Sequence, residues 1–278
     1  MGISVFFSLL ALAAPTAHER HVVGHSVFGR PIVVVETGNP LSTARVLVVG
    51  CIHGNEPAGI AVTRRLLTAA PPRRIDLWIL PNLNPDGRAL GVRQNGRGVD
   101  LNRNFSSGWR PNGVRWDPTY PGPRPFSEPE TRTARALIRQ VRPTITIWFH
   151  QPQAVVRGWG DSIPVARRYA RLARVPYRTL PTPNGAATWW QSDHFPGTSA
   201  FVVELPPGSL SRAAVRRYAA AVLALTSSDL ARWAPASSMS RSARSESPGS
   251  TSTPRTASST TVTSNPSRSA SNTLFLTQ

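Results

Sequence analysis

The chain contains no lysine: all 32 of its basic residues are arginine, set against 14 acidic ones for a formal charge of +18 over 278 residues. A genome with biased codon usage accounts for that absence as readily as any function does. Arginine at this density suits an anionic partner, but no block of five or more basic residues occurs and the arginines are spread along the whole chain. Nucleic-acid binding therefore rests on net charge alone, and none is expected. Cysteine is nearly absent too. A single Cys51 excludes an internal disulfide and says nothing about the compartment; inside an apolar run, it reads as a small core residue. Long apolar runs are also lacking. The most apolar stretch, Ile3 to Ala14, is too short to span a bilayer, so no stable membrane insertion is expected. There is no internal repeat.

Three zones of different character are present. Residues 1–17 combine that short apolar centre with small residues, Ala11-Leu-Ala13 and Ala14-Pro-Thr-Ala17, as a secretory leader and its cleavage site would. Export to the cell wall, the periplasm or the medium follows if this is a signal, and a cytoplasmic protein if it is not. Residues 235–278 are Ser, Thr, Pro and Arg with few large apolar side chains, too few to offset the entropy of ordering, and read as a disordered tail. Between them, residues 18–234 are long enough for one sizeable domain with a substantial core; the chain is 40% apolar, with eight tryptophans.

Within that domain strand and helix patterns alternate, which argues for an α/β sheet. Ile32–Glu36, Val46–Ile52, Ile75–Leu80, Thr144–Phe149 and Ala200–Glu204 are β-branched apolar runs of strand length. Helices are expected from Pro57 to about Ala69, from Glu128 to about Val141 with Ser127 as N-cap, over Ile163–Arg174, and from Ser211 to about Leu225. Asn84-Pro-Asp-Gly87 reads as a turn, and Arg88 to Ser127 as a long irregular segment, which at that length is functional or disordered.

The apolar runs end in chemistry. Val46–Ile52 runs into His53-Gly-Asn-Glu56 ahead of Pro57. An imidazole and a carboxylate three residues apart thus sit in the turn after a core strand, where ligands bind in open α/β sheets. Both could reach one zinc ion; the bland alternative is a strand-end histidine and a helix N-terminal acid. Thr144–Phe149 ends in His150, and Ala200–Val203 ends in Glu204. Two histidines and a carboxylate suit a catalytic zinc that keeps a fourth position for water, whose pKa the ion brings toward about 7. A second carboxylate must then take the water's proton, and Glu204 is the candidate. A cation is needed where the carbonyl oxygen gains charge, and the long segment offers Arg93, Arg97 and Arg103.

In this order, His53-Gly-Asn-Glu56, Asn84-Pro-Asp-Gly87, Arg93-Gln-Asn95, Gly98-Val-Asp-Leu-Asn-Arg-Asn-Phe105, His150 and Glu204 resemble the motifs of the zinc carboxypeptidases over roughly residues 25–230. Leu90-Gly-Val-Arg93, Ser127-Glu-Pro-Glu-Thr131, Phe149-His150 and Val203-Glu-Leu-Pro-Pro207 are similar to the family's bacterial murein peptide amidases, which cleave the γ-D-glutamyl–meso-diaminopimelate bond. The resemblance implies a single α/β domain with a central mixed sheet of about eight strands and helices on both faces. It implies one Zn²⁺ on His53, Glu56 and His150, with Glu204 as general base and acid. It implies that Arg93 polarises the scissile carbonyl and that Asn102 and Arg103 clamp a substrate carboxylate, for which the guanidinium fork is suited. Asp100 then corresponds to the carboxylate that orients His53. The family's substrate-capping tyrosine has no counterpart; the chain reads Thr182-Pro-Asn-Gly-Ala-Ala-Thr-Trp-Trp190 there, a small-residue loop closer to the wall-peptide subgroup.

The function expected is zinc-dependent hydrolysis of an amide bond next to a free carboxylate, in peptides derived from peptidoglycan. A carboxypeptidase for ordinary peptides, an N-deacylase of the aspartoacylase type and a non-catalytic wall-binding protein are the alternatives. Trp189, Trp190 and Gln191 are candidates to line the pocket, although paired tryptophans more often pack. His194 reads as an exposed loop histidine, and Tyr120, Arg157 and Asp161 are candidates for substrate contact among which the residues do not choose. Oligomeric state is left open.

Overall fold

The apolar runs around Val46, Ile79, Ile147 and Val203 form the centre of one mixed sheet in the computed structural model, which describes residues 18–70, 72–179 and 181–228. The expected leader (1–17) and tail (235–278) lie outside the described residues. The strands are β1 (Glu19–His25), β2 (Pro31–Gly38), β3 (Arg45–Val49), β4 (Asp76–Leu80), β5 (Ile145–His150), β6 (Val155–Arg157), β7 (Tyr177–Arg178) and β8 (Ser199–Glu204). All eight join in the order β1-β2-β4-β3-β5-β8-β6-β7. The inner four, β4, β3, β5 and β8, run parallel to one another; β1–β2, β2–β4 and β6–β8 pair antiparallel, and β7 pairs parallel with β6.

Side chains along the central strands alternate between two cores, as the pleat demands. Val46, Val48, Ile145, Ile147, Phe201 and Val203 meet α1 (Ala58–Leu67), α4 (Ile163–Ala173) and α6 (Arg212–Ser228) on one face. Leu47, Val49, Trp148 and Val202 meet α3 (Pro129–Val141) and α5 (Ala187–His194) on the other. Helices thus cover both faces, which is why the inner strands read as continuous apolar runs rather than alternating ones. The four expected helices form, with ends within a few residues of those read from the sequence.

Several expectations need correcting. Asn84–Gly87 is the start of a short helix, α2 (Pro85–Leu90), whose N-cap Asn84 accepts from Gly87 N, rather than an isolated turn. Glu128, not Ser127, is the N-cap of α3; the Ser127 hydroxyl donates to Glu128 Oε1 at 2.8 Å and accepts from Asn104 Nδ2 at 2.9 Å. Residues Ala187–His194, expected as loop, form α5. His194 is therefore the last residue of a helix, exposed, with its ring bonded to Trp190 O at 2.8 Å. The polar edge strand β1 and the two- and three-residue strands β7 and β6 were not expected at all.

The segment after α2 stays irregular apart from a single 3-10 turn, Leu101–Arg103, yet it is well ordered by side-chain amides. Asn95 Oδ1 accepts from Arg97 N and Val99 N, and Asn104 Nδ2 donates to Pro121 O and Arg124 O. Buried backbone groups without a ladder must find partners elsewhere, and here asparagines provide them. The segment covers the carboxyl ends of β3 and β5. Because β4 lies on one side of β3 and β5 on the other, the chain changes direction between these two strands, and a crevice opens where it does.

Candidate metal centre

β3 ends at Val49, and the next residues turn sharply into α1, placing His53 and Glu56 side by side at the crevice floor. The turn presses against α2: a Cβ on Gly54 would stand 1.9 Å from the carbonyl carbon of Gly87, so only glycine allows this approach. From the neighbouring strand β5 comes His150. Its register partner on β8 is Glu204, one strand further. His150 and Glu204 have the same parity as Trp148 and Val202, so both side chains point to the α3/α5 face of the sheet.

The three ligand candidates converge. His53 Nδ1 lies 3.0 Å from Glu56 Oε2, His150 Nδ1 lies 3.0 Å from the same oxygen, and the two Nδ1 atoms are 3.1 Å apart. Zinc–ligand distances of about 2.0–2.2 Å require donors within about 3–3.5 Å of one another, which these satisfy. All three residues are buried. Asp100 Oδ1 accepts from His53 Nε2 at 3.0 Å, which leaves the lone pair of that ring on Nδ1, toward the other two donors. Two imidazole lone pairs so close to each other and to a carboxylate oxygen make a donor set that a cation fits. In the same cleft, Glu204 Oε2 is buried and has no hydrogen-bond partner.

The electrostatics of the centre follow from the packing. Burial alone would raise the pKa of Glu56, but His53 and His150 outweigh it and hold the carboxyl well below its usual range. Burial likewise works against ionised Asp100, and His53 and Arg93 reverse it, keeping this carboxylate charged. Burial would lower the pKa of His53; the carboxylates of Asp100 and Glu56 more than compensate and raise it.

Arg93 bridges this network, donating from Nη1 to Glu56 Oε1 at 2.9 Å and from Nε to Asp100 Oδ2 at 3.0 Å. Asn102 and Arg103 lie on the 3-10 turn at the cleft wall. Asn102 Oδ1 accepts from Ala187 N at 3.0 Å, and Arg103 Nη1 donates to the Asn102 carbonyl at 2.8 Å. Burial, then the nearby Arg93 and Arg157, lower the pKa of Arg103, while Asp100 opposes them. The cleft holds about 380 Å³ and is lined by all of the metal-ligand candidates, Arg93, Asn102, Arg103 and Glu204. Every residue to which the family resemblance gave a role is therefore at the cleft or, for Asp100, directly behind it.

Other candidates separate. Arg97 and Tyr120 line a different hollow, and Asp161 is exposed on a 3-10 turn. Trp190 is buried among Phe105, Phe126 and Phe195, and Gln191 donates to Thr146 Oγ1, so both are core residues. Trp189 borders an apolar hollow of about 370 Å³ that shares Trp159 and Thr188 with the cleft. Of the three candidates for substrate contact, Arg157 alone lines the cleft, with Nη1 3.5 Å from Glu204 Oε1. One contributor was not foreseen. Gln151, in a cis peptide with Pro152, donates its N–H to Glu56 Oε2 at 3.1 Å and caps Ala58 N with its side chain. It sits in no strong motif; only its position immediately after His150 could have drawn notice.

Residues 3–184 match the family model described as zinc carboxypeptidase, a span that includes His53, Glu56, Arg93, Asn102, Arg103 and His150 and ends before Glu204. The chain is 30% identical over 209 residues to murein peptide amidase A of Vibrio campbellii, covering 70% of this chain and 81% of that protein. It is 27% identical over 228 residues to murein peptide amidase A of Escherichia coli K12, covering 76% and 89%. Among solved structures, the murein-tripeptide amidase of Escherichia coli O157 superposes with a TM-score of 0.62 at 28% identity, over 77% of this chain and 93% of that one. A carboxypeptidase A from Helicoverpa armigera shares the fold, with a TM-score of 0.68 at 20% identity over 80% and 70%.

Proposed function

The chain belongs to the zinc carboxypeptidase family, and from that premise we propose that it hydrolyses an amide bond next to a free carboxylate in cell-wall peptides, the γ-D-glutamyl–diaminopimelate bond above all. The observation that carries this reading is the convergence of His53, Glu56 and His150 within 3.0–3.1 Å of one another, with Glu204 across the cleft. The likeness to the murein peptide amidases of two bacteria, over four-fifths or more of their lengths, supports the wall-peptide substrate.

His53 Nδ1, Glu56 and His150 Nδ1 would hold the zinc, which would supply the Lewis acidity needed to make a water molecule nucleophilic near neutral pH. Glu204, whose Oε2 is unpartnered, takes the proton of the attacking water and passes it to the leaving nitrogen as the carbon–nitrogen bond breaks. Arg93 faces the cleft with a fixed positive charge and stabilises the carbonyl oxygen as it becomes negative. Asn102 and Arg103 bind the free carboxylate of the released residue and fix the scissile bond relative to Glu204. Asp100 holds His53 in the tautomer that leaves Nδ1 available. An exported enzyme would meet such peptides directly. The leader on which export rests lies outside the described residues, and among the described residues no helix is long and apolar enough to cross a membrane.

The test is incubation of the purified, zinc-loaded protein with L-Ala-γ-D-Glu-meso-diaminopimelate. Free diaminopimelate is expected, and Glu204→Gln should retain the metal while losing turnover by at least about 100-fold. No product from the wild-type protein would overturn the substrate assignment, and a wild-type protein without bound metal would overturn the mechanism.

A further inference from the structure

One arginine of the cleft is used by none of these steps. Arg157 ends β6, which pairs antiparallel with β8 so that Val155 opposes Glu204 and Arg157 opposes Val202. Residues opposed in such a pair share a face, and Val202 and Glu204 share theirs by the period of two. The register therefore sends the Arg157 side chain to the catalytic side of the sheet, diagonal to Glu204. There it is largely buried, with only 15% of the side chain exposed.

Its satisfaction does not match its burial. A guanidinium carries five N–H donors. Nη1 lies 3.5 Å from Glu204 Oε1, Nη2 reaches the Pro181 carbonyl at 3.4 Å, and Nε is buried with no hydrogen-bond partner. No contact is short and none is bidentate, whereas a buried guanidinium gains most from a carboxylate met by two parallel bonds. Arg103 stands near enough across the cleft for the two charges to repel, and Arg93 adds a third. Arg93 is held by Glu56 and Asp100 and assigned to the carbonyl oxygen, and Arg103 is assigned to the carboxylate beside the scissile bond. Arg157 is thus a buried cation whose one carboxylate contact, to Glu204, is long and single. Around it, Val202, Trp159 and Thr188 offer wall for methylene groups, with the Trp159 ring 5.8 Å from the guanidinium carbon.

We propose that Arg157 reads a second carboxylate, carried at the end of the side chain of the released residue, so that the enzyme selects dicarboxylic leaving residues over neutral or basic ones. This rests on the peptidase reading of the same site. The two carboxylates of such a residue divide between Arg103 and Arg157, and its methylene chain spans the apolar wall between. A neutral side chain leaves Arg157 with its long contacts; a basic one meets like charge.

The test uses the zinc-loaded full chain and four peptides, L-Ala-γ-D-Glu-X, where X is meso-diaminopimelate, L-2-aminopimelate, L-lysine or L-norleucine. L-2-aminopimelate carries the distal carboxylate without an amine, lysine the amine without a carboxylate, and norleucine neither. The expected kcat/KM for both dicarboxylic peptides exceeds that for the norleucine peptide by about 10- to 100-fold, the range for a charge-assisted pair. In Arg157→Gln that ratio should fall to within about threefold, the loss appearing as a raised KM for the dicarboxylic peptides. A wild-type ratio near one overturns the proposal while leaving the function intact. So does an Arg157→Gln variant that slows all four peptides equally, the mark of a residue that only positions Glu204. If no peptide is cleaved, the assigned function fails. Specificity is then read by calorimetry, as the Kd of zinc-loaded Glu204→Gln for the aminopimelate and norleucine peptides with and without Arg157→Gln. Equal affinities would overturn the role of Arg157 there too.

Discussion

Replacing Asp100 by asparagine isolates the contribution of the residue behind the metal ligands. Asp100 is fully buried; Oδ1 accepts from His53 Nε2 at 3.0 Å and from Asn102 N at 2.9 Å, while Oδ2 accepts from Arg93 Nε at 3.0 Å. An asparagine of the same shape has two orientations, and both are costly. With its carbonyl on the His53 side, the tautomer survives but a neutral acceptor replaces a charged one, a loss of roughly 1–2 kcal/mol for the His53 bond. Its amide then faces Arg93 Nε, donor against donor. Since the Arg93 side chain is 26% exposed and can turn toward water, this adds little. In the other orientation the amide faces Nε2 and drives the His53 proton onto Nδ1, the atom needed by the metal. The protein will adopt the cheaper state, so zinc affinity should fall by about 10- to 100-fold. Competition with a chromophoric chelator at pH 7.5 measures this directly, and melting of the metal-stripped protein separates it from any loss of fold. An Asp100→Asn protein that binds zinc within about twofold of wild type would refute the role given to the His53–Asp100 bond.

Gly54→Ala drives a methyl group into the Gly87 carbonyl, 1.9 Å from its carbon; stability should drop by about 1–3 kcal/mol in denaturant titration, with zinc affinity falling too because His53 and Glu56 flank the turn. Trp190→Ala should cost about 3–5 kcal/mol by the same titration, since the ring is 1% exposed, whereas Trp189→Ala at the hollow should cost less than about 1 kcal/mol. Equal losses would undo the division between core and cleft-side tryptophan. At the far edge of the sheet, burial and then neighbouring Asp76 raise the pKa of Glu36, so the folded chain holds this proton more tightly than the unfolded one. Its contribution is favourable below the unfolded pKa of about 4.3 and is lost as pH rises through the folded value. Glu36→Gln should therefore stabilise the protein at pH 7, by about 0.5 kcal/mol, and the gain in Tm should shrink toward pH 4; a gain that grows on acidification would contradict the sign.

Legibility in the sequence tracked the length scale of each feature. The inner strands were readable because burial on both faces leaves almost only β-branched and aromatic residues in Val46–Val49 and Ile145–Phe149, and these runs stop where the chemistry starts. β1 was not, because an edge strand that carries Glu19, Arg20 and His21 suppresses the apolar signal that marks a strand, as unpaired edges tend to. β6 and β7 are too short for any periodicity. α5 was hidden by its composition: it follows Gly185 and mixes two tryptophans with Ser192, Asp193 and His194, so no apolar stripe recurs at helical spacing. The irregular segment was recognised as such. Its order was not, since it depends on Asn95 and Asn104 reaching backbone groups many residues away, information that no local window contains.

The same distinction governs the site. His53 and Glu56 are locally coded: two residues three apart on one turn, fixed by Pro57 and by the glycine that lets the turn touch α2. His150 and Glu204 are coded by register instead. Each is the last residue of a parallel strand, and they face the same crevice only because Ile145 pairs with Ser199 and the pairing runs unbroken to His150 and Glu204. A slip of one residue in β8 would turn Glu204 to the α1/α6 face and put Val203 in the cleft, removing the proposed base without moving His53, Glu56 or His150. The alternating cores prevent it: Phe201 and Val203 are buried against one set of helices and Val202 against the other, so a slip would expose Glu204 to an apolar layer already filled. Arg157 inherits its place from the same register, one strand further out, through the Val155–Glu204 and Arg157–Val202 pairs. The packing that makes the sheet stable is thus also what sets Glu204, the proposed general base, and Arg157, the proposed specificity arginine, on one side of it, and a core substitution at Val203 or Phe201 reaches the site through pairing rather than through contact with substrate.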